Sequence, residues 1–232
     1  MSAGTKATQR RWDEYDAYLF DIDGTLLHCS DAVHYFAFCE ALTALAGRAL
    51  NLDGVTAHGN TDVGILRDAL TLAGIPDDVW RPELAKACQS MCKFVEERKG
   101  ELCVTVLPQV TEVLAHLRGE GRVLGVATGN LHAIGRLKLE RCGLLEQFVF
   151  GAYSDDFEYR SDVFTSALSK AQALAGHEAA VCVVGDTPED IRAAHSNGLD
   201  VIAVATGTYT FSELSAELPN RCVRSMGELF DE

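Results

Sequence analysis

The stretch LFDIDGTLL, residues 19–27, opens on two large apolar residues and then presents Asp21 and Asp23 before Gly24 and Thr25 break the run. Residues two apart on an extended chain point the same way, so both carboxylates face one space at a strand tip. Two carboxylates that close do not both ionise without a cation or a shared proton. The pair therefore predicts a divalent metal and a division of labour between two acids. By itself, Asp-x-Asp-Gly favours a polar turn after a buried strand. A calcium loop is excluded, because the twelfth position from Asp21 is Ala32, where that loop needs Glu.

Outward from this stretch, similar short apolar runs recur. AYLFD (17–21), RVLGVAT (122–128), AVCVVGD (180–186) and DVIAVAT (200–206) lack clean alternation, which suits parallel strands buried on both faces. Helical patterns lie between them. Val110, Val113, Leu114 and Leu117 share one face, as do Val163, Phe164, Ala167, Leu168 and Ala171. Strands alternating with helices predict a doubly wound, Rossmann-like parallel α/β sheet.

The connection from Asp21 to Arg122 is too long for one crossover, since the helix at 108–119 already supplies it. The surplus reads as helices. Val33, Phe36, Ala37, Ala41, Ala44 and Leu45 form one stripe, and Leu66, Ala69, Leu70 and Ala73 another. The expected organisation is a disordered or extended tail over 1–16, a core domain from 17–28 and 104–232, and a small helical cap domain over 29–103. The insert leaves the core at the carboxyl end of the first strand, where open α/β sheets keep their sites, so it is expected to form a lid.

Two further motifs end predicted strands. In VATGN (126–130), Thr128, Gly129 and Asn130 place a hydroxyl and fresh N–H groups at a helix start, as an anion site requires, although Asn130 could equally be an N-cap. In VVGDTPEDI (183–191), Asp186 ends a strand and adds a third acidic oxygen ligand of the kind magnesium takes. Pro188 suits the first helical position, and Asp190, three after Thr187, fits a capping-box-like arrangement.

Together the three motifs resemble those of the haloacid dehalogenase-like hydrolases, over nearly the whole chain after residue 16. The length and helical character of the insert resemble the phosphoglycolate phosphatase-like branch. The resemblance implies that Asp21 attacks phosphorus and that Asp23 serves as acid and then base. It implies Mg²⁺ on Asp21, the Asp23 carbonyl and Asp186, with Thr128 and Gly129 on a phosphoryl oxygen. Asp190 would orient a metal-bound water or the basic residue. The family's lysine before the helix DVFTSAL is absent; counting places Glu158 there, within DDFEYRSDVF. Arg160 is the substitute, and Lys138 in GRLKLERCG the alternative, with a solvated helix face as its competing reading. In HGNTD (58–62), Thr61 and Asp62 are candidates to touch the leaving group, Thr61 also as an N-cap, and His58 reads as a surface residue. The implied activity is Mg²⁺-dependent hydrolysis of a small phosphate monoester, phosphoglycolate-like in the first instance. A sugar phosphomutase or a non-catalytic binding protein on the same scaffold are the alternatives. Asp23 speaks against a dehalogenase, and Thr25 fits phosphatases better than mutases.

The net charge of −14, from 34 acidic and 20 basic residues, argues against nucleic acid as a partner. A small phosphorylated metabolite remains compatible, because a metal and a few placed cations can hold one phosphate in an acidic protein. No run of about 18 apolar residues predicts a membrane span. No signal peptide is evident at the N-terminus, and a cytoplasmic location is expected. The eight cysteines are therefore expected as thiols. Cys182 reads as core, and Cys88 and Cys92 as packing residues on one helix. Nothing in the sequence specifies an oligomeric state.

Overall fold

The computed structural model describes residues 10–231. Six strands form one sheet: β1 (Ala17–Phe20), β4 (Val123–Ala127), β5 (Phe150–Ala152), β6 (Val181–Gly185), β7 (Asp200–Val204) and β8 (Arg221–Val223), in the order β5-β4-β1-β6-β7-β8. Every pairing is parallel. The apolar runs are buried on both faces, which explains their missing alternation. Tyr18 and Phe20, Cys182 and Val184, and Ile202 and Val204 join the cluster on one side. Ala17 and Leu19, Val181 and Val183, and Val201 and Ala203 join the cluster on the other. Period two therefore distributes residues between two cores rather than between core and water.

Helix α5 (Val110–Gly119) covers the first face with the four residues expected of it. Helices α7 (Arg160–Ala175) and α8 (Pro188–Ser196) cover the second. Helix α6 (His132–Arg141) follows β4, and α9 (Phe211–Ala216) lies between β7 and β8. The short strands β5 and β8 were not anticipated, because three residues carry no usable period.

A two-stranded antiparallel ribbon, β2 (Leu27–Cys29) and β3 (Val104–Val106), leaves the sheet after β1. It carries α1 (Val33–Ala46), α2 (Asp62–Leu72), α3 (Asp77–Trp80) and α4 (Leu84–Glu97). These helices enclose their own apolar cluster around Leu42, Leu66, Trp80 and Met91, which also takes in Leu131, Ile134 and Leu137 at α6. On α1 the expected stripe is displaced. Phe36 is 55% exposed, while Phe38 and Leu42 are buried. Both sets flank the Val33–Ala37–Ala41 line, and contact with α4 and α2 decides which flank is covered.

The expected tail also needs correction. Residues 1–9 lie outside the described residues, but Trp12 and Tyr15 are buried in the first cluster. Tyr18 Oη donates to the Trp12 carbonyl at 2.7 Å, and Tyr15 Oη donates to Asp200 at 2.9 Å. Two aromatic rings closing an open sheet face outweigh the polar composition around them. Among the described residues no helix is long and apolar enough to cross a membrane.

Sheet register sets up the site. Phe20 is level with Val126 on one side and Val184 on the other. The first residue past each of the three strands, Asp21, Thr128 and Asp186, therefore emerges at one carboxyl edge, facing α1 and α2.

Candidate active site

Asp21, Asp23, Thr128, Gly129, Asn130, Lys138, Arg160 and Asp186 line one cavity of 440 Å³ between the sheet edge and the helical insert, and Asp62 reaches it from the insert. Asp21, Asp186 and Asp190 each offer a carboxylate oxygen, all within 4.8 Å of one another and all buried. Arg160 answers part of this charge. Its Nη2 lies 2.6 Å from Asp21 Oδ1 and donates to Asp190 Oδ1 at 2.6 Å. The approach to Asp21 is off the hydrogen-bonding direction, so Asp21 Oδ1 keeps no hydrogen bond, and Arg160 Nε has no partner either.

The remaining charge shows in the acidities. Burial pushes the Asp21 carboxyl up to about 6, with Asp190 and Asp23 adding to it and Arg160 opposing. Burial, then Asp21 and Asp190, raise Asp186 well above the ordinary carboxylate range. Three buried carboxylates against one guanidinium leave an excess of negative charge that a proton or a further cation would relieve.

The residues present fit a hard divalent ion. Asp186 Oδ1 accepts from Thr25 Oγ1 at 2.8 Å. A side chain at Gly24 (φ +84°) or at Gly207 would run into the Asp186 carboxylate, so two glycines keep that carboxylate and the space beside it clear. The backbone carbonyl of Asp23 accepts no hydrogen bond among the described residues. Asp190 completes a capping box with Thr187 at the start of α8 and accepts from Arg160 Nη2.

The loop after β4 offers donors. Thr128 Oγ1 accepts from Asn130 N at 3.3 Å and from Asn130 Nδ2 at 2.9 Å, which leaves its O–H proton to give away. The Gly129 N–H has no acceptor among the described residues, while its carbonyl accepts from Asp62 N at 2.7 Å. Arg160 Nη1 borders the same space, beside Gly129.

Lys138 is not on a solvated helix face. It is 3% exposed and its three donors are all engaged: Asp23 Oδ2 at 2.7 Å, Asn130 Oδ1 at 2.8 Å and His34 Nδ1 at 3.4 Å. No ammonium proton is left for a phosphoryl oxygen, which corrects the reading of Lys138 as the alternative phosphate-binding cation. Burial lowers the pKa of the Lys138 ammonium, and the adjacent Asp23 carboxylate reverses this to a net rise. Burial likewise raises Asp23, but the Lys138 ammonium and the hydrogen bonds from Lys138 and Asn130 outweigh it and hold Asp23 low.

Thr61 caps α2, accepting from Gly64 N at 2.8 Å, and its hydroxyl donates to the Glu158 carbonyl at 2.9 Å. Asp62 Oδ2 accepts from Leu131 N at 2.8 Å and lies 3.2 Å from His34 Nε2. HGNTD therefore docks on the loop after β4. The Glu158 side chain pairs with Arg67 and Arg81 of the insert. His58 is exposed, 3.4 Å from Thr208 Oγ1.

Sequence reasoning missed His34, a polar residue on α1 with no motif around it. It also missed Gly207, although the strand-tip logic applied to VATGN would have found it after β7.

A strand-tip aspartate, a hydroxyl-glycine loop after one neighbouring strand and a further aspartate at the tip of the other neighbour are the arrangement of a hydrolase of the haloacid dehalogenase-like class. The model of the haloacid dehalogenase-like hydrolases matches residues 15–198, and the chain belongs to that family. Its curated relatives are phosphatases, phosphoglycolate phosphatases among them. It is 29% identical over 211 residues to the probable phosphatase IndB of Dickeya dadantii, covering 91% of this chain and 90% of that one. It is 28% identical over 184 residues to a phosphoglycolate phosphatase of Cereibacter sphaeroides, covering 78% and 81%. Among solved structures, a predicted phosphoglycolate phosphatase from Haemophilus somnus shares the fold at a TM-score of 0.65 and 20% identity, over 94% of this chain and 97% of that one. CbbY from Rhodobacter sphaeroides does so at 0.68 and 22%, over 93% and 96%.

Proposed function

We propose that this chain is a Mg²⁺-dependent phosphatase that hydrolyses a small phosphate monoester through an aspartyl-phosphate on Asp21, with residues 29–103 as its cap. Asp21, Asp186 and the Asp23 carbonyl would hold Mg²⁺, which when bound neutralises phosphoryl charge beside Asp21. The Thr128 hydroxyl and the Gly129 N–H donate to one phosphoryl oxygen, and Arg160, steered by Asp190, supplies a fixed cation through its free Nη1. Asp21 attacks phosphorus; Asp23 protonates the leaving oxygen and then removes a proton from the hydrolytic water. The observation that carries this reading is that unpartnered donors, at Thr128 and Gly129, line the same cavity as the Asp21 carboxylate, whose Oδ1 takes no hydrogen bond. A phosphoglycolate-like ester is the leading substrate, on the strength of the named relatives.

The test is phosphate release from a panel of small monoesters with Mg²⁺ or with EDTA. Release from at least one ester that EDTA abolishes is the expected result. Absence of release throughout, or release indifferent to EDTA, contradicts the proposal.

Acidity gives a second prediction. Between the ordinary value of 3.8 and about 6, folded Asp21 holds more proton than unfolded Asp21. Metal-free stability from this group therefore falls as pH rises through that window, and Asp186 extends the same slope upward. Mg²⁺ needs both carboxylates ionised. Its stabilisation should be slight at pH 5 and reach about 5 °C or more in Tm at pH 7.5 and about 100 Kd. Scanning calorimetry at both pH values checks this, and a shift independent of pH counts against the ligand set.

A further inference from the structure

The environment of Asp23 is asymmetric. Its Oδ2 accepts from Lys138 Nζ at 2.7 Å and from Asn130 Nδ2 at 2.8 Å. Its Oδ1 takes no hydrogen bond among the described residues, and the side chain is 37% exposed where it lines the cavity. Both groups on Oδ2 are donors. Lysine has no acceptor, and Asn130 offers its amide nitrogen there because its Oδ1 receives Lys138.

The far side of the clamp reaches the insert. Lys138 can only donate to His34 Nδ1, so the imidazole carries its proton on Nε2 and donates that to Asp62 Oδ2. Asp62 is fixed in turn by Leu131 N. An unbroken line of donors and acceptors therefore runs from the insert to one oxygen of Asp23.

We propose that Lys138 is a positioning residue for Asp23: with Asn130 it pins Oδ2, so that Oδ1 alone meets the departing oxygen, and His34 completes the clamp when the insert is docked. The inference rests on the phosphatase reading. As the bond from Asp21 to phosphorus forms and the ester P–O bond breaks, the proton on Asp23 Oδ1 passes to the leaving oxygen. The resulting carboxylate keeps its two donors on Oδ2. In the second half, Oδ1 takes a proton from water as that water bonds to phosphorus and the Asp21–phosphorus bond breaks.

A clamp of this kind matters most where the leaving group needs the proton. An alkoxide leaves poorly without it, whereas p-nitrophenolate leaves unaided. The experiment compares kcat/KM, which reports the chemistry up to leaving-group departure, for 2-phosphoglycolate or another accepted alkyl phosphate and for p-nitrophenyl phosphate. Lys138→Met keeps the length and the burial. It should lose about 100-fold on the alkyl ester, the lower range of general-acid effects, and less than about 5-fold on the aryl ester. His34→Phe, which removes the contacts to Lys138 and Asp62 but leaves both donors on Asp23 Oδ2, should show the same selectivity at about 5-fold on the alkyl ester, and it serves if Lys138→Met does not fold. An active wild type with equal losses on both esters, or with no loss, overturns the inference alone. A wild type that releases phosphate from neither ester overturns the phosphatase reading and this inference with it.

Discussion

Replacing Asp21 by Asn is expected to reduce phosphate release at least about 10⁴-fold, the scale on which removal of a nucleophile acts, while the protein stays folded. The amide is isosteric with the carboxylate but does not attack phosphorus, so no covalent intermediate forms. It also relieves the site of one buried charge. Burial raises the Asp21 carboxyl to about 6, so at pH 7 its ionised form costs stability in the metal-free protein. The variant should then be more stable without Mg²⁺ by on the order of 2 kcal/mol, and Mg²⁺ should stabilise it less than it does the wild type. Steady-state kinetics, acid-quench trapping of labelled phosphate on the protein, and denaturant melts read the three effects separately. Retained turnover, or label trapped on Asp21→Asn, would rule out Asp21 as the nucleophile.

Arg160→Met should have the second largest effect, and on two properties at once. Arg160 is the cation that lies between Asp21 and Asp190. Removing it leaves the acidic group buried without compensation, which costs about 3–5 kcal/mol when one partner of a buried pair is lost. Catalysis should fall on the order of 10³-fold, as when a fixed arginine is withdrawn from a transferring phosphoryl group. Arg160→Lys should recover more of the stability than of the activity. A point charge relieves the carboxylates, but it cannot hold Asp190 and reach the phosphoryl group with separate nitrogens. Urea melts with and without Mg²⁺, run alongside kinetics, check both halves. Unchanged stability in Arg160→Met would show that the three carboxylates do not depend on this cation.

Much of the architecture was legible because burial on both faces leaves a plain mark. AYLFD, RVLGVAT, AVCVVGD and DVIAVAT read as continuous apolar runs, and each forms a central parallel strand. The last residue of each run was the one to examine, and Asp21, Thr128 and Asp186 do gather at one edge. Edge strands, the register of α1 and the packing of Trp12 left no such mark. β5 and β8 are three residues long. The flank of α1 that faces inward depends on what α4 presents to it.

The sequence by itself determined the strand-tip chemistry. A parallel strand delivers its next residue to the carboxyl edge of the sheet whatever the neighbouring elements do, so Asp21, Asp23 and Asp186 had to arrive there. Only the tertiary structure decided which carboxylates the two cations meet. Arg160 comes from a helix start and Lys138 from mid-helix, and each reaches a carboxylate 139 and 115 positions away along the chain (160 − 21 and 138 − 23). Which carboxylate each meets, and whether any donor remains for a phosphate, depends on three-dimensional distance and on a fixed number of N–H groups, and local sequence encodes neither.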